Sequence, residues 1–410
     1  MASTPLSRNR EFLLLWSGQA ISQLGSQVSL VAYPLLVLAV TGSPAKAGLV
    51  AFARNIPIAA LALPAGLLAD RVNRRRLMVV TDGVRALAMA SIPIAAAAGG
   101  VPYGLILVLA AIDGTGYVLT SVAERPALRH LVPPEQLGEA VARNESRMFA
   151  AMLAGPPLGG LLFGIGRAVP FVIDAASYAI STVTKLLIRT EFQEAGVGYA
   201  VGDAREGLRW LWQRPFLRNC MLLFAGSNPI FTGLYLLVVV VAKGHGASPA
   251  LVGLMLGIAA AGGLLGALLA PAFQRRMTAR VALVGESWVL ALSIPLLLVV
   301  HQALLIGVIM AAAELITPVT NSFVVGFRVA LAPDRLQGRV QAASTLVSFS
   351  AGWLGPLLVG FLLESAGENA TILVLAGWAL ALALLATGSR ALRDPPRLEA
   401  PAVPSMATAS

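Results

Sequence analysis

Charge is scarce in this chain. Of its 410 residues, 12% are charged and 57% are hydrophobic. Soluble domains carry roughly 25% charged residues. With about half that charge there are too few solvated side chains to cover a soluble fold, so the long apolar runs belong in a membrane. Cysteine is almost missing: Cys220 stands alone, which excludes a disulfide framework and a cysteine-based metal site. Histidine is limited to His130, His245 and His301, at no spacing that would let two of them share an ion. No metal and no cofactor are expected, and no nucleophile–base pair points to an enzyme. The Gly262-Gly263 pair sits inside an apolar run, without the strand–loop–helix context of a phosphate cradle. Acids are fewer than bases, 20 against 30, for a net charge of +10. The arginines are spread over alternate loops rather than gathered on one face. That pattern argues against nucleic acid as a partner and for the positive-inside bias of a membrane protein.

A spanning helix needs about 20 mostly apolar residues. The hydrophobic runs predict twelve. The first six lie at about 12–40, 47–69, 77–98 and 103–122, around 154–160, and at 168–188. The last six lie at about 217–241, 250–273, 281–300, 303–325, 340–363 and 371–386. The first run follows Arg8 and Arg10, as in a signal peptide. It is too long for a signal core and lacks a clean small-residue cleavage site, so it is expected to stay as helix one. Between helices six and seven, 203–212 reads DAREGLRWLW. Its apolar and basic sides predict an amphipathic helix on the inner membrane surface. The expected divisions are 1–190 for a first six-helix bundle, 191–216 for a linker, 217–390 for a second bundle, and 391–410 for a disordered tail.

The second half repeats the first. Leu131, Pro133, Gly138, Ala142, Gly155, Pro156, Leu158 and Gly160 recur as Leu331, Pro333, Gly338, Ala342, Gly355, Pro356, Leu358 and Gly360. The hinge GLLADRVNRRRL, 66–77, is matched to 266–277 by Gly266, Leu268, Arg275, Arg276 and Met277. Parallel six-helix repeats are the sequence sign of one class of secondary transporter. Arginines crowd the loops on one side, among them Arg71, Arg74, Arg75 and Arg76, while the other side holds Lys46, Arg167 and Lys243. The asymmetry predicts a multi-pass protein of the cytoplasmic (inner) membrane with both termini inside.

Polar residues on spanning helices face the bundle or a watery cavity, because lipid cannot satisfy them. Gln19 and Gln23 form such a stripe on helix one. Asp113, Tyr117 and Thr120 form one on helix four, and Glu314, Thr317 and Asn321 on helix ten. Asp113 and Glu314 hold near-matching places in the two repeats and are the candidates for proton coupling; the alternative is an acid paired with Arg54. The cavity candidates are Gln19, Gln23, Arg54, Tyr117, Asn228 and Asn321. Asp82 and Arg85, at i and i+3 on helix three, are expected to neutralise each other.

The hinge, the two repeats and the Gly-Pro run together resemble the major facilitator superfamily. Gly66, Asp70, Arg71, Arg74 and Arg75 look like its signature between helices two and three, with Asn73 in place of a glycine. The resemblance implies a gating loop whose aspartate meets a helix N-terminus. Gly155, Pro156, Gly159 and Gly160 look like the helix-five element of drug/proton antiporters. Asp82 with Arg85, Asp174, and 333–339 (PDRLQGR) resemble enterobactin exporters and macrolide-efflux proteins. The fold implied is all-α, two six-helix bundles, and the function is proton-coupled efflux of a small organic molecule by alternating access. The implied partners are that substrate, protons and the lipid bilayer, for a monomer. The alternatives are a nutrient or metabolite importer or uniporter, and a non-transporting membrane sensor or scaffold.

Overall fold

A computed structural model describes residues 5–192, 204–349, 351–393 and 396. Within its helices, the side chains of residues 59, 62, 63, 66, 67, 69, 70, 125, 204 and 349 lie outside the description. The described chain is helical. The first half holds α1 (Arg10–Thr41), α2 (Pro44–Arg71), α3 (Arg74–Ala97), α4 (Tyr103–Leu131), α5 (Leu137–Ile165) and α6 (Val169–Leu186). A short α7 (Ala204–Trp212) leads to α8 (Pro215–Gly244), α9 (Pro249–Arg276), α10 (Ala279–Leu296), α11 (Ala303–Leu331), α12 (Gln337–Phe349), α13 (Leu354–Gly388) and α14 (Arg390–Arg393).

Twelve crossings result because α13 contains two. Gly367 sits inside it at φ 81°, a conformation that glycine adopts without a Cβ clash. Glu364, just before the bend, meets Ser43. Ser389, past the end of α13, accepts from Asn219 at the start of α8, 2.8 Å away. The two arms therefore run in opposite directions. The eleventh crossing is itself broken: α12 stops at Phe349 and α13 begins at Leu354. Irregular backbone at this depth needs internal partners. Asn228 supplies one by donating to the Ser348 carbonyl at 2.8 Å, and Thr232 donates to the Gly352 carbonyl.

Several helices outrun the predicted spans. Helix four is expected to end at 122 but continues to Leu131, and helix ten continues to Leu331. At about 1.5 Å per residue, 29 residues reach roughly 43 Å, beyond the ~30 Å hydrocarbon layer. The extra turns reach past that layer. Arg147 of α5 there pairs with Glu124 of α4 at 2.7 Å. Along the spanning helices, large apolar side chains face outward: Leu87 is 76% exposed and Leu268 68%. Such a belt is at home against lipid rather than water.

The hinge repeat falls in a different register from the one read in the sequence. α2 and α9 are both 28 residues long, both begin at proline, and end at Arg71 and Arg276. Ser43 and Ser248 cap their N-termini, while Asn73 and Thr278 cap α3 and α10. Matching positions are thus five residues further apart than in the 66/266 pairing. Arg275 and Arg276 end a helix, whereas Arg75 and Arg76 start one. Asn73 replaces the signature glycine because its side chain accepts from Arg76 N at 3.1 Å, an N-cap.

The corrected register aligns the two contacts between the halves. A Cβ on Gly48 would meet the Pro356 carbonyl at 2.3 Å, and one on Gly253 would meet the Pro156 carbonyl at 2.5 Å. Gly160 and Gly360 complete the crossings: their Cβ positions lie 2.2 Å from Pro249 O and 2.6 Å from Pro44 O. Phe52 and Trp353 add a ring contact at 5.4 Å. These approaches close the Arg-poor end, the end opposite the arginine-rich loops. Amphipathic α7 packs on the second half rather than only on the membrane surface. Leu211 is fully buried, Gly207 lies against Arg339, and Glu206 pairs with Arg339. The expected tail at 391–410 begins in α14, which runs to Arg393, rather than in disorder; 394–395 and 397–410 lie outside the described residues.

Valine at position 48 would force α2 off α13 at the closed end. Gly48→Val is expected to shift spin labels replacing Lys46 and Ser365, in a Cys220→Ser background, toward longer separations. Double electron–electron resonance reads that distribution; an unchanged one would show that the contact does not hold this end shut.

Candidate functional site

The first half carries a cavity of about 810 Å³. α1 lines it with Gln19, Ser22, Gln23, Ser26 and Gln27, α2 with Arg54 and Asn55, and α4 with Tyr117 and Thr120. Apolar groups share the wall: Leu30, Ile58, Met148 and Met152. Toward the Arg-rich end the lining becomes charged, with Glu124, Arg129, Glu145 and Arg147, and the cavity opens there. Toward the Arg-poor end α5 closes on α1. The Cβ positions of Gly155 and Gly159 lie 2.3 Å from Gln27 Cβ and 2.6 Å from Val28 O. The Gly-Pro run of α5 therefore has two faces, with Gly155 and Gly159 turned to α1 and Pro156 and Gly160 to α9.

Behind the cavity wall lies a knot of charge on Asp113. Arg54 Nε donates to Asp113 Oδ2 at 2.8 Å. Arg85 donates to Oδ1 through Nε at 2.9 Å and Nη2 at 2.7 Å. The Tyr178 hydroxyl adds a fourth bond to the carboxylate, at Oδ1, 2.9 Å away. The Arg85 guanidinium also stacks on the Tyr178 ring, 4.0 Å from its centroid. Local sequence makes the room. In 113–117, DGTGY, a Cβ on Gly114 would fall 1.8 Å from the Arg54 carbonyl, and one on Gly116 would fall 2.4 Å from Arg85 Cδ. Each glycine lets α4 approach the helix that brings one arginine.

Asp82 and Arg85 do not pair, contrary to the i, i+3 expectation. Asp82 is held by Lys185 of α6, fully buried at its side, and by Thr120 at 3.3 Å. Arg85 turns to α4 instead. The spacing puts two side chains on one helix face, but partners on two other helices satisfy both charges more completely. Lys185 and Tyr178 were missed in the sequence. The available signal was a lysine inside a predicted span, with Asp174 too far along the same helix to pair with it. Asp174 takes only hydroxyl donors, Ser29 at 2.6 Å and Ser177 at 3.2 Å.

The second half is drier and holds fewer charges. Glu314 faces Tyr235, whose hydroxyl is 3.5 Å away. Glu286 is buried beside Thr317 and Thr320. A space of about 20 Å³ next to Glu286, Ser227 and Ser287 has room for one water. Of the six cavity candidates, the fold brings Gln19, Gln23, Arg54 and Tyr117 together. Asn228 instead bonds the carbonyls of Phe224 and Ser348, and Asn321 is exposed, away from this cavity. In the hinge, Arg75 donates to the Lys185 carbonyl at 3.0 Å and to that of Leu186, and Arg74 donates to Phe192 O at 3.2 Å. Arg75 thus caps the C-terminus of α6, where a cation is favoured. Arg71 is exposed. The side chains at 66 and 70 lie outside the described residues.

Breaking the Asp82–Lys185 pair would leave a buried charge unpaired, which costs about 3–5 kcal/mol in comparable buried pairs. Asp82→Asn is expected to lower the thermal midpoint of the detergent-solubilised protein, and adding Lys185→Met to restore most of the loss. Thermal-shift size-exclusion chromatography checks both; equal midpoints for the parent and Asp82→Asn would discard the pair.

The chain is 29% identical to the multidrug efflux pump Tap of Mycolicibacterium fortuitum, covering 93% of this chain and 96% of that one. It is 24% identical to macrolide efflux protein A of Streptococcus pyogenes over 44% of each. In three dimensions it resembles a bacterial homologue of the iron transporter ferroportin in its inward-facing state. The TM-score is 0.72 at 18% identity, over 94% of this chain and 99% of that one. Residues 15–356 match the sequence profile of the Major Facilitator Superfamily. With twelve crossings in two repeated halves and a cavity at the Arg-rich end of one, this multi-pass membrane protein belongs to the Major Facilitator Superfamily.

Proposed function

We propose that this protein exports small amphipathic organic molecules from the cytoplasm by alternating access, driven by protons. One observation carries the reading: a roomy cavity opens at the Arg-rich end while paired glycine crossings close the other. The positive-inside rule puts the Arg-rich end, and with it both termini, in the cytoplasm. In this state the cavity would load from inside the cell across the inner membrane. Its lining suits an amphipathic cargo: amides and hydroxyls for directional bonds, methionines that adapt to varied apolar shapes. Gln19 Nε2 is buried without a hydrogen-bond partner, a donor left for a ligand. The efflux names of the relatives support the direction. The two halves, bounded near residues 190 and 217, would rock as units about the α2–α13 and α5–α9 crossings.

Glu314 is the better proton carrier of the two coupling candidates. Both oxygens of Asp113 already accept from guanidinium groups, so that acid organises the arginines. Among the described residues Glu314 has no cation partner and one long contact, to Tyr235, which leaves it free to exchange a proton as its surroundings change. Asp70, within the hinge, would latch one conformation by meeting a helix N-terminus.

Two measurements test the reading. Proteoliposomes loaded with a radiolabelled macrolide under an imposed pH gradient should lose it faster than gradient-free vesicles. Glu314→Gln should abolish that acceleration while sparing macrolide exchange, whereas Asp113→Asn should reduce both. Wild type that ignores the gradient would remove proton coupling, and a wild type that moves no compound in a macrolide and dye panel would remove efflux. For orientation, single cysteines at Thr41–Ala45 in a Cys220→Ser background should react with an impermeant thiol reagent in intact cells, and one at Asn73 should not. The opposite labelling would invert the topology and with it the direction of transport.

A further inference from the structure

Sequence spacing keeps the histidines apart, but the fold brings two of them together. His245 follows the end of α8, His301 precedes α11, and Glu368 follows the Gly367 bend of α13. All three emerge at the Arg-poor end of the second half. The imidazole rings of His245 and His301 stack with centroids 4.1 Å apart, inclined by 24°. His245 Nδ1 lies 4.0 Å from Glu368 Oε1. One ligand atom from each of the three lies within 4.8 Å of the others.

We propose that His245, His301 and Glu368 form a binding site for a divalent transition-metal ion of the zinc type. Two imidazoles and a carboxylate are a donor set that zinc accepts, with a fourth position left to water. Ligand bonds of about 2.0–2.1 Å in a tetrahedron put ligand atoms roughly 3.3–3.5 Å apart. Side-chain rotations of about an ångström close the present spacing to that, and solvent-exposed side chains make them readily. His245 and Glu368 are each open to solvent, 37% and 27% exposed, so an ion has a path in. The nearest cation on the same turn is turned away: Lys243 Nζ donates to the Ala247 carbonyl at 3.2 Å. An ion here ties the α8–α9 turn, the α10–α11 turn and the α13 bend into one rim. Glu364, on the same bend, reaches across to Ser43 and to Ala45 N, 3.1 Å away, in the first half. The braced rim therefore carries one of the contacts that close this end. The site stands apart from the cavity and from the direction of transport.

The test uses the full chain, purified in detergent through a tag without histidines and freed of metal by a chelator. Titration with Zn²⁺ in a calorimeter is expected to show one ion per protein and to raise the thermal midpoint. Co²⁺ should give the visible absorption of a tetrahedral site. His301→Gln and Glu368→Gln, made separately, should each weaken Zn²⁺ binding at least tenfold and cancel the midpoint rise. Neither should change the metal-free midpoint or the elution volume, because both side chains stand at the surface. His130→Gln should bind like the parent. Absence of Zn²⁺ binding at micromolar concentrations, or binding that survives in His301→Gln and Glu368→Gln, overturns the site.

Discussion

Charge inside a bilayer has to find its opposite there, and the first half of this protein is arranged around that need. A charged side chain at the bilayer centre costs about 2.5–3.5 kcal/mol on insertion scales. α2, α3, α4 and α6 each bring at least one: Arg54, Asp82 with Arg85, Asp113, and Lys185. No helix could be inserted stably with its own charge alone. Packed together, Asp113 takes both arginines and Asp82 takes the lysine. Tyr178 and Thr120 fill the remaining acceptor sites. The bonds of the knot tie α2, α3, α4 and α6 to one another.

The contacts between the halves are of another kind. The crossings of α2 with α13 and α5 with α9 are made of glycines and prolines, with backbone meeting backbone. Small residues permit close approach and make few directional bonds. Glu364, which accepts from Ser43 and from Ala45 N, adds a polar contact at the edge of this surface. The charged knot lies within one half. Cohesion inside that half is polar, and the seam between halves is mostly small and apolar.

The two repeats have diverged in the same terms. In the first half the cavity wall is polar and backed by ion pairs. In the second, Glu286 lies beside Thr317, Thr320 and Glu314, and Glu314 faces Tyr235, and a broken eleventh crossing is tied by Asn228 and Thr232. The matching crossing in the first half, α5, is continuous over Leu137–Ile165. One half is thus suited to hold cargo through fixed polar groups. The other carries acids without fixed counter-charges and a helix that can bend.

The sequence by itself determined the class of solution. Low charge and twelve apolar runs dictate a membrane bundle, because only internally bonded helices satisfy backbone in lipid. The 131–160 and 331–360 match dictates two halves, and the polar stripe of α1 points to the cavity it lines. These features are local, so they can be read along the chain. Charge pairing was decided by the tertiary structure. Asp82 and Arg85 are neighbours on one helix yet belong to α6 and α4, since a buried charge follows the partner that satisfies it most fully rather than the nearest in sequence. The hinge register also waited for the fold: repeated arginines suggested one alignment, whereas helix length and caps set another. The break in α12–α13 and the meeting of His245 with His301 depend on how loops from distant segments converge, and spacing along a chain does not encode convergence in space.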